Sequence, residues 1–251
     1  MSNINKIEFE IVKEDRKIIW ITGGSSGIGK AIAYNFAKIN CKVYISGRRN
    51  SELERTIKEF AKEKLKIKAI PCNVASEVNV NQVVKTIIHE EGKIDCLVNN
   101  AGITTFKNVI DTSNREAKEI IDTNLLGAIY CTKNVLPHMI EKKSGLIINI
   151  SSFAARKIYP KSAIYSASKA GLIAFANCLR EEVREYGIKV VNILPGPTET
   201  PMWDKEIRKN ASNQMMRPDD LAHLVVSVFL QPDNLVSEEI IVRPIQGDIN
   251  V

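Results

Sequence analysis

Residues 18–29 read Ile18-Ile19-Trp20-Ile21-Thr22-Gly23-Gly24-Ser25-Ser26-Gly27-Ile28-Gly29, and they decide how the rest of the chain is organised. The first four form a short apolar run, the pattern of a strand buried on both faces. A glycine-rich stretch follows, and beyond it Ile32, Ala33, Phe36 and Ala37 recur with the spacing of one helix face. Strand, glycine-rich turn and helix in that order open a βαβ unit. Glycines permit a tight turn and close approach of a ligand to the backbone, and a helix N-terminus offers unpaired N–H groups and positive potential. Gly23, Ser25, Ser26, Gly27, Ile28 and Gly29 are therefore candidates to hold a pyrophosphate. The plainer alternative, an ordinary glycine-rich βα loop, is disfavoured by these flanks.

The alternation continues outward from this unit. Lys42 to Ser46 reads as a second strand, followed by a helix over 51–64, a strand over 67–71, a helix over 76–91 and a strand over 94–98. Ser113-Asn114-Arg115-Glu116 is a capping box that opens a helical region to about residue 143. Asn124 lies inside that region, and a mid-helix Asn marks a local kink or a polar task. A strand over 146–150, a helix over 163–186 and a strand over 188–194 follow. Residues 196–217 are rich in proline and bulky apolar side chains, including Met202 and Trp203, and read as a substrate lid. Pro218 starts a last helix to about Leu230, and Glu239 to Val242 forms an edge strand. Residues 1–16 read as an N-terminal arm or an extra edge strand. No repeat or linker divides residues 1–251, so one domain is expected.

Composition narrows the function classes. The 251 residues carry 35 basic and 29 acidic side chains, a net +6, with the charges interleaved as in Lys58 to Lys68. Mixing of this kind is a solvated helix face and not a nucleic-acid footprint. The small excess favours anionic ligands such as phosphates or an acidic carrier. Cys41, Cys72, Cys96, Cys131 and Cys178 form no C-x-x-C pair, and His89, His138 and His223 have no ligand spacing. Reduced thiols, no metal site and a cytoplasmic setting are expected. No apolar run reaches the roughly 18 residues of a membrane span, and no secretory signal is read at the N-terminus.

Chemistry gathers at strand ends. Gly47-Arg48-Arg49 follows the second strand, where an NAD site usually places an acid for the ribose hydroxyls. Arg48 and Arg49 suit a 2′-phosphate instead, which favours NADP(H) over NAD(H); the alternative is two surface arginines. Asn73 and Val74 sit where an adenine edge is within reach, and Ala101 and Gly102 are small enough to let a cofactor pass. Tyr165 and Lys169 stand four apart on a helix, hence on one face. A neighbouring ammonium should lower the Tyr165 pKa towards the working pH and make it a proton donor or acceptor at a carbonyl or alcohol oxygen. Ser152, just past the strand over 146–150, places a hydroxyl near the same oxygen.

T-G-x-x-x-G-x-G at 22–29, N-N-A-G at 99–102 and Ser152 with Tyr165-x-x-x-Lys169 together resemble the short-chain dehydrogenase/reductase family. The resemblance implies an α/β, doubly wound Rossmann fold with a seven-stranded parallel sheet and helices on both faces. It also implies hydride transfer between a nicotinamide and a carbonyl or secondary alcohol carbon. Tyr165 is then the acid/base, Ser152 polarises the substrate oxygen, Lys169 binds the nicotinamide ribose, and Asn124 holds a water in a proton relay. Asn100 takes the place near the adenosine ribose, while Pro195, Gly196, Thr198 and Thr200 belong to the segment beside the nicotinamide carboxamide. The segment Glu239 to Pro244 departs from the glycine-rich end of many members. A homo-oligomer, tetramer or dimer, is implied through helices matching 113–143 and 163–186.

Phe153, Tyr159, Met202 and Trp203 suggest a partly apolar substrate pocket, and Arg156, Lys157 and Lys161 crowd the segment before Tyr165. If these cations rim the mouth, they attract anionic, carrier-bound or CoA-bound substrates. A 3-oxoacyl-[acyl-carrier-protein] reductase is therefore one alternative to a general carbonyl reductase. A non-catalytic NADP-binding sensor is the alternative of another class; it would not need the full Ser-Tyr-Lys-Asn set.

Overall fold

The computed structural model describes residues 16–249. Its strands are β1 (Ile18–Thr22), β2 (Lys42–Gly47), β3 (Ile67–Pro71), β4 (Cys96–Asn99), β5 (Gly145–Ile150), β6 (Ile188–Pro195) and β7 (Glu239–Val242). All seven pair in parallel in the order β3-β2-β1-β4-β5-β6-β7, so the expected doubly wound sheet is present. The winding reverses between β1 and β4, and a crevice opens there at the carboxyl ends of the strands. The helices are α1 (Gly27–Lys38), α2 (Asn50–Lys62), α3 (Glu77–Glu91), α4 (Asn114–Ile121), α5 (Gly127–Lys142), α6 (Ala163–Val183), α7 (Lys205–Ala211) and α8 (Pro218–Phe229).

Strand periodicity of two assigns each apolar residue to a layer. Ile19 and Ile21 pack with residues of α1, α2 and α8, whereas Ile18 and Trp20 pack with α3, α5 and α6. Every β1 side chain is buried, which is why β1 reads as an apolar run without alternation. Each such Ile or Phe contributes about 1.5–3 kcal/mol by leaving water. Phe36 of α1 meets Phe229 of α8 edge to face at 5.1 Å, fixing the two helices on one side of the sheet.

Three buried asparagines stand side by side on β4, β5 and β6, because Asn99 is in register with Asn149 and Asn149 with Asn192. The Asn99 amide donates to Asn149 at 2.9 Å, and Asn149 donates to Asn192 at 3.2 Å. Asn192 in turn donates to Asn177 of α6 at 3.4 Å. Arg180, also on α6, donates to the Val190 carbonyl at 2.9 Å and the Glu238 carbonyl at 3.0 Å. A polar ladder thus runs through the middle of the sheet into the helix that carries Tyr165 and Lys169.

Two regions differ in kind from expectation. The capping box at Ser113 and Glu116 forms as expected, but the long helix it opens is divided by a π-helical turn, Asp122–Leu126, that contains Asn124. The lid region is not a bare loop, since it carries α7, capped by Asp204 on the Glu206 N–H. The reading of residues 1–16 as an arm lies, except for Arg16, outside the described residues.

Candidate active site

One cavity of about 1340 Å³ runs across the carboxyl ends of the strands, from Arg48 and Asn73 at one end to Trp203 at the other. It is large enough for a dinucleotide with a second molecule beside it.

At the nucleotide end, Asn100 and Thr22 hold the glycine loop. The Asn100 side chain donates to the Thr22 and Gly23 carbonyls at 2.9 and 3.2 Å, and the Thr22 hydroxyl accepts from the Asn100 and Ala101 N–H groups at 3.0 and 3.1 Å. Gly29 is required here, because a Cβ would lie 2.3 Å from the Asn100 amide nitrogen and 2.5 Å from the Gly23 oxygen. Asn100, expected beside a ribose, thus spends its amide on the loop itself. No side chain caps α1 at Ser26, and its first turn carries no acid, in contrast to α3 and α4, which are capped by Ser76 and Ser113. Uncapped N–H groups facing a cavity are what an anion needs.

Arg48 and Arg49 are exposed, line the cavity, and enter no ion pair among the described residues. Asn73 accepts from the Ala75 N–H at 3.2 Å, an Asx turn ahead of α3. Val74, Ala101 and Gly102 line the cavity between Asn73 and Lys169, and Ser25, Ser26, Gly27 and Ile28 line it at the start of α1. Pro195, Gly196, Thr198 and Thr200 form the opposite wall, with the Thr198 hydroxyl donating to the Gly196 carbonyl at 3.1 Å.

At the catalytic end, Lys169 is buried and its Nζ donates to the carbonyl of Ile150, the last residue of β5, at 2.7 Å. Burial brings its pKa down to about 8. Burial pushes the Tyr165 phenol up, while hydrogen bonding with Ser152 pulls it the other way. The expected drop of the Tyr165 pKa is therefore overturned for the chain by itself. Desolvation is the largest cause, and Lys169, with Nζ 5.9 Å from the ring centroid, is not among the groups that lower it. The Ser152 oxygen accepts from the Ala154 N–H at 3.1 Å, and its hydroxyl lies within hydrogen-bonding reach of Tyr165.

Asn124 is buried and answers both halves of its alternative. It sits in the π-turn, accepts from the Ile103 N–H at 2.8 Å, and donates to the Ile103 carbonyl at 2.9 Å and Ser168 at 3.0 Å. Its side chain thereby ties the loop after β4 to α6, and Gly102 packs above it, where a Cβ would lie 3.5 Å from Lys169 Nζ.

Phe153, Tyr159, Met202 and Trp203 all line the cavity. Trp203 stacks on Phe106 with ring centroids 5.2 Å apart, which ties residues 196–217 to the loop after β4. The cationic rim is only partly there. Arg156 pairs with Glu239 at 2.7 Å and Lys157 pairs with Asp248, leaving Lys161 as the one of the three without an ion pair among the described residues. Phe106, Arg243 and Asp248 were not singled out from sequence. Their partners lie far away along the chain, although the Pro244 and Gly247 turn signals between Arg243 and Asp248 are visible.

Residues 17–211 match the short chain dehydrogenase family. The chain belongs to that family. Membership makes it an oxidoreductase of Rossmann type. A protein of Chlorobaculum tepidum named sepiapterin reductase is 34% identical over 241 residues, covering 93% of this chain and 98% of the relative. The human dehydrogenase/reductase SDR family member 7 is 36% identical over 212 residues, covering 82% of this chain and 62% of the relative. Among solved structures, the closed form of serine dehydrogenase complexed with NADP+ superposes with a TM-score of 0.85 at 28% identity, covering 93% of this chain and 98% of the other. A variant of actinorhodin polyketide ketoreductase with NADPH also gives 0.85, at 27% identity, covering 92% and 97%. Among the described residues no helix is long and apolar enough to cross a membrane, and no group of His, Cys, Asp or Glu is placed to hold a metal.

Proposed function

We propose that the protein is an NADP(H)-dependent oxidoreductase acting between a carbonyl and a secondary alcohol. The observation that carries this reading is one cavity joining the uncapped α1 terminus, Arg48 and Arg49, which enter no ion pair among the described residues, and the Ser152, Tyr165 and Lys169 group. The α1 terminus and the glycine loop would hold the pyrophosphate, Arg48 and Arg49 the 2′-phosphate, and Lys169 the nicotinamide ribose. When bound, the nicotinamide supplies or accepts the hydride.

The chain's own part is proton handling and placement. Ser152 donates to the substrate oxygen and holds it against Tyr165. Tyr165 gives its proton to that oxygen during reduction and takes it back during oxidation. With a pKa of about 8, Lys169 is mostly charged at neutral pH and stabilises the tyrosinate left behind. Its bond to the Ile150 carbonyl keeps the ammonium in place without reorganisation.

The carrier-bound alternative loses part of its support, because Arg156 and Lys157 are already neutralised by Glu239 and Asp248. We take the setting as a cytoplasmic homo-oligomer, tetramer or dimer, joined through α4, α5 and α6. The test is cofactor oxidation across aldehydes, ketones and 3-oxoacyl thioesters. Turnover of at least one carbonyl, faster with NADPH than with NADH, is expected. Tight NADPH binding with no turnover across the panel would overturn the reading in favour of a sensor.

A further inference from the structure

After β7 the chain does not run off into solvent. The Gly196 N–H donates to the Val242 carbonyl at 2.7 Å, and a Cβ on Gly196 would lie 3.2 Å from Pro244, so the exit of β7 is pressed against the segment beside the cofactor wall. Pro244 to Gly247 then form a turn, with the Gly247 N–H donating to the Pro244 carbonyl at 2.9 Å. Gly247 takes φ +89°, a conformation that a side chain would resist. The turn brings Asp248 back beneath Arg243, with Nη2 to Oδ2 at 2.9 Å.

Asp248 is mostly buried, at 12% side-chain exposure, and both its oxygens are used. Oδ1 accepts from the Tyr159 hydroxyl at 2.6 Å, and Oδ2 accepts from Lys157 as well as Arg243. Arg243 lies over the Phe153 ring, 4.3 Å from its centroid. One carboxylate thus holds two walls of the cavity: Phe153, next to Ser152, and Tyr159, in the segment leading to Tyr165. With no lone oxygen left over, Asp248 is poorly placed to anchor a ligand directly. The wall that it holds is apolar and aromatic, completed by Ile249, Met202 and the Phe106–Trp203 stack.

We propose that residues 243–249 are a clasp in which Asp248 positions Phe153 and Tyr159, and that this clasp selects carbonyl compounds bearing a bulky apolar or aromatic group. Their selection rests on the reading of the site as a carbonyl reductase. A wall held by charge-assisted hydrogen bonds is pre-organised, so its loss falls on substrate binding before it falls on the chemical step.

The test uses the full chain and compares Asp248→Ala, Asp248→Asn and Tyr159→Phe with wild type. Three quantities are measured: kcat and KM for an aromatic ketone and a small aldehyde, NADPH affinity by fluorescence titration, and amide hydrogen exchange over residues 153–161. In Asp248→Ala the KM for the aromatic ketone should rise about tenfold with kcat falling less than about threefold, and the small aldehyde should be less affected. Exchange over 153–161 should quicken about tenfold, with NADPH affinity unchanged. Asp248→Asn, which keeps an acceptor for Tyr159, and Tyr159→Phe should show smaller changes of the same kind, and they decide the matter should Asp248→Ala fail to fold. Unchanged exchange and unchanged KM would overturn the clasp, as would an equal loss for both substrates. If wild type turns over no carbonyl, that failure belongs to the proposed reaction, and the exchange measurement alone decides the clasp.

Discussion

The two ends of the cavity are built by different means. At the nucleotide end, contacts are short and close to the backbone: Asn100 and Thr22 lock one loop, and Gly29 leaves no room for a Cβ beneath Asn100. At the substrate end, contacts join side chains from distant parts of the chain, as Tyr159 with Asp248 and Phe106 with Trp203. A backbone cradle recognises what every turnover shares, the phosphates. A side-chain clasp is revised by single substitutions and suits what varies, the substrate. Damage to the first end should therefore appear in cofactor affinity, and damage to the second in substrate selectivity.

The largest effect should come from the point where the ends meet. Tyr165→Phe should lower kcat about a thousandfold while NADPH affinity, read by fluorescence titration, holds. Retained turnover would remove Tyr165 from the proton step and leave the two ends without a shared centre. Next comes Lys169, whose buried ammonium is disfavoured in the fold. The unfolded chain holds this proton up to about pH 10.4 and the folded chain only to about pH 8, so stability at this site rises with pH through that window. Denaturant titrations should thus find wild type disadvantaged against Lys169→Met at pH 7, with the gap closing towards pH 10.5 by something on the order of 3 kcal/mol. A gap independent of pH would show that burial does not depress this group.

Gly29→Ala tests the cradle alone and should weaken NADPH about a hundredfold by forcing Asn100 off the loop. Equal loss at the substrate end, read as KM on a saturating cofactor, would blur the division drawn here. Arg48→Ala should cost about tenfold in NADPH affinity, with NADH little changed and the difference shrinking at high salt. Equal losses for both cofactors would sink the 2′-phosphate assignment.

This division also marks what was legible in the sequence. The glycine loop, the apolar strands and the Tyr165–Lys169 step are local signals, spaced by strand and helix geometry, and each stands where it was expected. The direction of the Tyr165 shift was not legible, because spacing brings an ammonium near and says nothing of how dry the surroundings are. Asn124 carried a visible oddity whose resolution, a π-turn clamped to Ile103, needed the loop from β4 beside it. Asp248 was invisible because two of its partners, Lys157 and Tyr159, lie some ninety residues away along the chain, and only the fold makes them neighbours.

The asparagine ladder across β4, β5 and β6 has a consequence for assembly. Apolar strands of Ile, Val and Leu can pair in neighbouring registers at little cost, since one greasy face resembles the next. A slip of one residue, about 3.3 Å, would turn Asn149 to the opposite layer and break its hydrogen bonds with Asn99 and Asn192. The ladder therefore acts as a parity check on the sheet: only the register that sets Asn99 beside Asn149 and Asn149 beside Asn192 joins the three amides. The row of amides that checks the register of the sheet also reaches, through Asn192 and Asn177, into α6.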